Sequence, residues 1–314
     1  MGCKPEKEVE SYDFFENIEN YIDKVNKAEN SSSSDGGYSD CDGFSKAWES
    51  SFKDTQIAKN ICKELIILYN SLNNLKAKST RSKDYKDECE FFNYWVNFKI
   101  SKNMINERDC VEKIYNAFES HCIKDFGVIL DADIIYNINK DDLYKMNILY
   151  SLYNKYTEID TILKNTSQVD KQSLLNLSNA CCTHYNQASY ICNGDNNSTF
   201  CTKLKSFDLK YEQLYSKLVG QGYDFSDYFT KLSECPNTKI IATAVTGTVV
   251  GLIPLVGVLY KFTPMGQMFI SKNGILNKDI RNNDEEMINM SLMEQENEAL
   301  KFQKGTYNIK YQSL

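Results

Sequence analysis

The stretch FCTKLKSFDLKYEQLYSKL, residues 200–218, decides the fold. Its apolar residues Phe200, Leu204, Phe207, Tyr211, Leu214 and Leu218 recur at spacings of 4, 3, 4, 3 and 4. That spacing gathers them into one stripe along a helix of about five turns. Ile61, Leu65, Leu68, Leu72 and Leu75 repeat the pattern, as do Phe15, Ile18, Ile22 and Val25. Tyr150, Tyr153, Ile159 and Leu163 follow it less cleanly. Such stripes read as the core seams of a bundle rather than as coiled-coil partner surfaces.

The placement of Gly and Pro agrees. The prolines are Pro5, Pro236, Pro254 and Pro264, and between Phe44 and Asn193 the only glycine is Gly127. Strand-rich folds need frequent turns, and turns use these residues. The pattern predicts an all-α bundle of roughly seven helices, at about 6–29, 44–78, 84–102, 107–122, 140–165, 168–192 and 198–219. Asn30–Gly43 and Asn193–Thr199 are rich in Ser, Asn, Asp and Gly and read as exposed loops.

Ile240–Tyr260 reads IIATAVTGTVVGLIPLVGVLY, with no charge, and Lys239 and Lys261 bracket it. At a rise of about 1.5 Å per residue it is long enough to cross a bilayer. Pro254 is tolerable in such a helix, and Gly247 with Gly251 forms a small-residue motif that could join two copies. Lys231 and Lys239 precede the run, whereas Lys261, Lys272, Lys278 and Arg281 follow it. The positive-inside rule then predicts an ectodomain over 1–239, a transmembrane helix over 240–260 and a cytoplasmic tail over 261–314. Residues 1–30 hold no apolar signal core, so an outward-facing chain would use its own span as the signal, or a specialised export route. Met1-Gly2-Cys3 hints at acylation, but Glu6 departs from the motif and a lipidated end conflicts with an outside one.

All 11 cysteines precede the span. A compartment boundary at the membrane explains the asymmetry, because disulfides persist in oxidising environments. Setting Cys3 aside, the candidate disulfide cysteines are Cys41, Cys62, Cys89, Cys110, Cys122, Cys181, Cys182, Cys192, Cys201 and Cys235, and the sequence leaves their pairing open. Cys181 and Cys182, about 100° apart on a helix, should reach different partners. A metal set of Cys181, Cys182, His184 and Cys192 matches no zinc framework. The Cys122–His121 and Cys182–His184 pairs lack an orienting third group.

Other classes recede as well. The net charge of −7 and a pI near 5.1 argue against nucleic acid as a partner. With 2 histidines there is little room for His-based catalysis. No nucleotide-binding, metalloprotease, hydrolase or calcium-loop motif is present, so neither an enzyme nor a cofactor is expected. Asn30, Asn165, Asn176, Asn196 and Asn197 head sequons compatible with an exposed surface.

Three segments carry a family resemblance: IPLVGVLYKFTPMGQ at 253–267, GTYNIKYQSL at 305–314 and CEFFNYWVNFKI at 89–100. The chain resembles the Plasmodium PIR superfamily, and is most similar to VIR-type variant surface proteins. Cys89, Asn93, Tyr94 and Trp95 sit at the places of that family's Cys-x-x-x-Asn-Tyr-Trp helix, whereas Gln267-Met268-Phe269 departs from the usual continuation. The resemblance implies a non-enzymatic, exported variant surface antigen on or near the infected red-cell membrane. Immune evasion or adhesion to host cell-surface receptors, and antibodies as partners, follow from it as expectations. Tyr94 and Trp95 read as core anchors. The competing reading is an intracellular membrane scaffold with reduced cysteines and no external ligand.

Overall fold

The computed structural model describes residues 10–32, 38–78, 82–105, 110–126, 134–164, 169–193, 198–220 and 227–236, all within a compact unit spanning Met1–Thr238. A 3-10 turn at Asp13–Asn17 leads into α1 (Ile18–Ser32), α2 (Asp40–Ala47), α3 (Thr55–Ser71), α4 (Asn73–Lys76) and α5 (Lys83–Asn103). There follow α6 (Val111–His121), α7 (Ile123–Phe126), α8 (Lys140–Lys164), α9 (Lys171–Cys192) and α10 (Thr199–Gly220), then a 3-10 turn at Leu232–Glu234. Among the described residues there is no β-strand, and Phe52 and Met104 form a lone antiparallel bridge. The all-α reading therefore holds for this region. Ile240–Tyr260, Gly247, Gly251 and the 261–314 tail lie outside the described residues. Among those described, no helix is long and apolar enough to cross a membrane.

The helix expected over 44–78 is three helices. No glycine or proline marks the breaks; an aspartate does. Asp54 is extended (φ −154°, ψ 143°), and its carboxylate accepts from the Gln56 amide at 2.8 Å, starting α3 as a side-chain cap. Leu72 (φ −90°, ψ 88°) parts α3 from α4. Ser82 and Asp170 cap α5 and α9 in the same way. The expected loop Asn30–Gly43 is helical at both ends, since α1 runs to Ser32 and α2 begins at Asp40.

The periodic stripes do form the core. Phe15, Ile18, Ile22, Val25, Ile61, Leu65, Leu68, Leu72, Leu75, Phe200, Leu204, Phe207, Tyr211 and Leu214 are all buried. The centre is α5, on which every residue from Phe91 to Asn97 is buried, so its middle two turns are enclosed on all faces rather than on one. Tyr94 stacks on Phe14 at 5.5 Å and on Phe98, and its hydroxyl donates to Asn147 Oδ1 at 3.0 Å. Tyr21 stacks on Phe91 at 4.4 Å, and Tyr153 meets Phe207 edge-on at 5.1 Å. Offset and edge-on ring pairs of this kind add roughly 0.5–1.5 kcal/mol each beyond their burial.

Polar groups on α5 reach out of this core to position the rest. Asn97 donates to the Tyr136 carbonyl at 2.9 Å and accepts from the Ile138 amide at 3.1 Å. Asn93 Oδ1 accepts from the Tyr136 amide at 3.1 Å and from Asn97 at 3.0 Å. Together they hold the extended segment that leads into α8. Asn137 in turn accepts from the Val111 amide at 2.8 Å, at the start of α6.

Burial holds the tyrosine hydroxyls in their neutral form. Desolvation pushes Tyr94, Tyr115 and Tyr150 well above the ordinary value of 10.0, and Tyr153 and Tyr156 up to about 12. Above pH 10 the unfolded chain loses phenolic protons that the folded chain keeps, so stability falls as pH rises through that point. A phenolate absorbance titration should show the exposed tyrosines ionising first and the buried ones only together with loss of helix. Smooth ionisation of every tyrosine near pH 10 with the helices intact would contradict this packing.

Candidate functional site

Three disulfides staple the ends of the bundle. Cys41 on α2 joins Cys62 on α3, Cys192 at the end of α9 joins Cys201 on α10, and Cys182 on α9 joins Cys235. Cys110 is disulfide-bonded as well. Cys89, Cys122 and Cys181 keep their thiols, which narrows the ten-cysteine candidate set. Cys89 lies on α5 and Cys181 on α9, and Cys122 caps the end of α6. The Cys122 sulfur lies 3.2 Å from that of Cys62, Cys181 is buried and Cys89 is half-buried. Cys181 and Cys182 do diverge, one into the core and one to Cys235.

These bridges break up two alternative sites, the metal set and the Cys182–His184 pair. Cys182 and Cys192 are committed to different partners, so they cannot join Cys181 and His184 around one metal ion. His184 is itself buried on α9. His121 is exposed, with Nδ1 2.8 Å from the Ala117 carbonyl and its ring against Phe44.

What the arrangement does is mount two segments on fixed bases. Cys192–Cys201 closes the α9–α10 connection at its root. The α1–α2 connection is held on one side by Cys41 and on the other by an ionic cluster around the end of α1. There Lys99 of α5 lies 2.6 Å from Glu29 and 2.9 Å from Glu64, and Lys63 donates to the Ser32 carbonyl at 3.3 Å. Burial raises the Glu64 carboxyl more than Lys99 lowers it. Burial alone would lower Lys99, but the two glutamates outweigh it and raise it. The two connections lie at opposite ends of α1. Phe200 packs on Tyr12 and Lys203 pairs with Glu16 at 3.1 Å before the helix starts, whereas Ser32 ends it. The 15 residues of α1 span ~22 Å.

The chain leaves the described bundle along α9. Ser178 Oγ accepts from the Thr230 amide at 2.8 Å, and Tyr211 donates to the Thr230 carbonyl at 3.2 Å. Phe229 packs on Tyr211 at 5.0 Å. Cys235 is bridged to Cys182, and Asn186 donates to the Pro236 carbonyl at 2.8 Å. Ser178, Asn186 and Thr230 carried no sequence signal, because polar residues on a helix read as a solvated face. Only Tyr211, through its place in the apolar stripe, was visible as a core residue.

Residues 215–314 match the family model of the Plasmodium vivax Vir protein. The match begins in the last turn of α10, takes in the exit segment and Cys235, and covers the apolar run and the terminal motif. It supports membership of the Plasmodium Vir/PIR family, which is a family of variant surface antigens. No curated protein and no solved structure matches the chain.

The staples differ in worth. Cross-link entropy scales with the loop closed, giving ~4 kcal/mol for the 53-residue Cys182–Cys235 loop and ~2.6 kcal/mol for the 9-residue Cys192–Cys201 loop. The double variant Cys182→Ala/Cys235→Ala should therefore lose more stability in denaturant unfolding than Cys192→Ala/Cys201→Ala. The reverse order would mean that the exit segment is held without its bridge.

Proposed function

We propose that this chain is an exported, membrane-anchored variant surface antigen of a malaria parasite. Residues 1–239 stand outside, 240–260 cross the membrane and 261–314 lie in the cytoplasm. The observation that carries the reading is the cysteine asymmetry: disulfides staple the helical region, and no cysteine follows the apolar run. Bridges of this kind persist where thiols are oxidised. The Vir match over 215–314 supports the same class.

The work proposed is immune evasion or host-cell adhesion by display of a changeable surface on an invariant base. It needs no cofactor and no reaction, so the protein is not an enzyme on this reading. Host receptors and antibodies are the partners, and a second copy could pack through Gly247 and Gly251. Recognition belongs on connections that can change without unfolding the core. Of the two, the α9–α10 connection starts two helical turns, ~10 Å, beyond Asn186, where the chain exits. The α1–α2 connection lies at the other end of α1 and is the better-placed recognition segment. Its Ser, Asp and Gly offer little apolar anchoring area, so contacts should be weak per site and rely on many copies.

Trypsin treatment of intact infected cells tests location and orientation together. Loss of epitopes from residues 1–239 with retention of a protected fragment bearing 261–314 is the expected result. Full protection in intact cells, with ten or more titratable thiols in the native material, would favour the intracellular scaffold. Exchanging residues 33–37 for a segment of Lys and Asn, which changes all five side chains, should weaken cell binding or antibody recognition more than an equally drastic exchange at 194–197.

A further inference from the structure

Three buried cysteines, from α2, α3 and the C-terminal cap of α6, converge at one point. Cys41 and Cys62 are bonded at 2.03 Å, Cys122 Sγ is 3.2 Å from Cys62 Sγ, and all three sulfurs lie within 4.8 Å of one another. All three residues have zero exposure. A sulfur already in van der Waals contact with a disulfide is placed as an attacking group, since thiol–disulfide exchange proceeds by thiolate attack on one sulfur of the bond.

The surrounding contacts hold the three helices together whichever pair is joined. Asp42 of α2 pairs with Lys59 of α3 at 2.6 Å. Asp40 Oδ2 accepts from the Lys124 amide of α7 at 3.3 Å. Phe44 of α2 meets Phe118 of α6 edge-on at 5.9 Å and Phe52 at 6.1 Å. Neither bond has to carry the packing, so exchange need not wait for unfolding. The Cys122 sulfur approaches Cys62 off the line of the Cys41–Cys62 bond. Once a rotation of its side chain aligns them, fixing the reactants in contact raises their effective concentration far above that of any dissolved thiol.

We infer that Cys41, Cys62 and Cys122 form an internal thiol–disulfide exchange site that moves one cross-link between two helix pairs. Cys122 gives up its proton and its thiolate attacks Cys62 Sγ. The Cys62–Cys122 bond forms, the Cys41–Cys62 bond breaks, and Cys41 leaves as a thiolate that takes up a proton. One disulfide and one thiol are present before and after, so no oxidant or reductant is consumed. The cross-link shifts from α2–α3 to α3–α6, and the sulfur released is on α2, the helix that anchors the far side of the α1–α2 connection. With two of the three sulfurs always joined, the cluster does not offer three thiolates to a metal ion; exchange is the chemistry it supports.

Full-length protein in detergent is equilibrated in a reduced/oxidised glutathione buffer, quenched in acid, alkylated under denaturing conditions and mapped by mass spectrometry. The expected result is alkylation shared between Cys41 and Cys122, with both Cys41–Cys62 and Cys62–Cys122 linked peptides present. Alkylation of Cys122 with none at Cys41, and only the Cys41–Cys62 peptide, overturns the proposal. A second arm uses Cys41→Ser, which should form the Cys62–Cys122 bridge in the same buffer with its helical circular dichroism retained. A folded Cys41→Ser protein in which Cys62 and Cys122 both stay reduced also overturns it. Should that variant not fold, the mapping of the wild-type chain decides alone.

Discussion

The hydrogen bonds that Asn93 and Asn97 of α5 make to the backbone at Tyr136 and Ile138 are the constraint on which the rest of the bundle depends. A helix buried on every face has no solvated side on which to place polar groups. Each buried amide must find a partner or cost ~1–3 kcal/mol. The segment at 134–139 supplies partners for Asn97 and for the Asn93 side-chain carbonyl oxygen, and its backbone at Tyr136 and Ile138 is held by them. Because that segment leads directly into α8, its attachment to α5 sets where α8 starts, and α9 and α10 pack in turn on α8. The aromatic layer around Tyr94 then fills the space between α5, the first 3-10 turn and α8.

Much of the helical architecture was legible in the sequence because burial follows the 3.6-residue period wherever a helix has one buried face. The stripes of α10, α3 and α1 are of that kind. The breaks at Asp54 and Leu72 were not legible: an aspartate in a polar stretch looks the same whether it caps a helix or sits on its surface. The role of Asn93 and Asn97 was hidden for a related reason. Tyr94 and Trp95 announced themselves as core anchors by their size, but a buried asparagine is told from an exposed one only by what packs over it. The cysteines pointed to disulfides without giving their pairing, because pairing depends on which helices meet. Cys122 shows the limit well, since its position at the C-terminal cap of α6 brings it to a bond already made between two other helices.

The same division of labour suits the variant antigen proposed above. The residues committed to the fold are enclosed aromatic and amide groups on α5, and they leave the α1–α2 and α9–α10 connections to change. The described ends of those connections are rooted by covalent bonds and by the Lys99 cluster. Exposed pairs such as Lys27–Asp23 contribute little beside these buried groups, being open to solvent screening.

The most direct measurement of this account is the unfolding free energy of Asn97→Leu in denaturant, with far-UV circular dichroism of the native state as a control on fold. Leucine matches the volume but leaves the Tyr136 carbonyl and the Ile138 amide without their partner. The account predicts a loss of ~2–5 kcal/mol from the two stranded groups, with faster hydrogen exchange at Ile138 and in the first turn of α8. A variant within ~0.5 kcal/mol of the wild type, the range of an ordinary surface change, and with exchange at Ile138 unaltered, would show that α8 is placed by apolar packing alone.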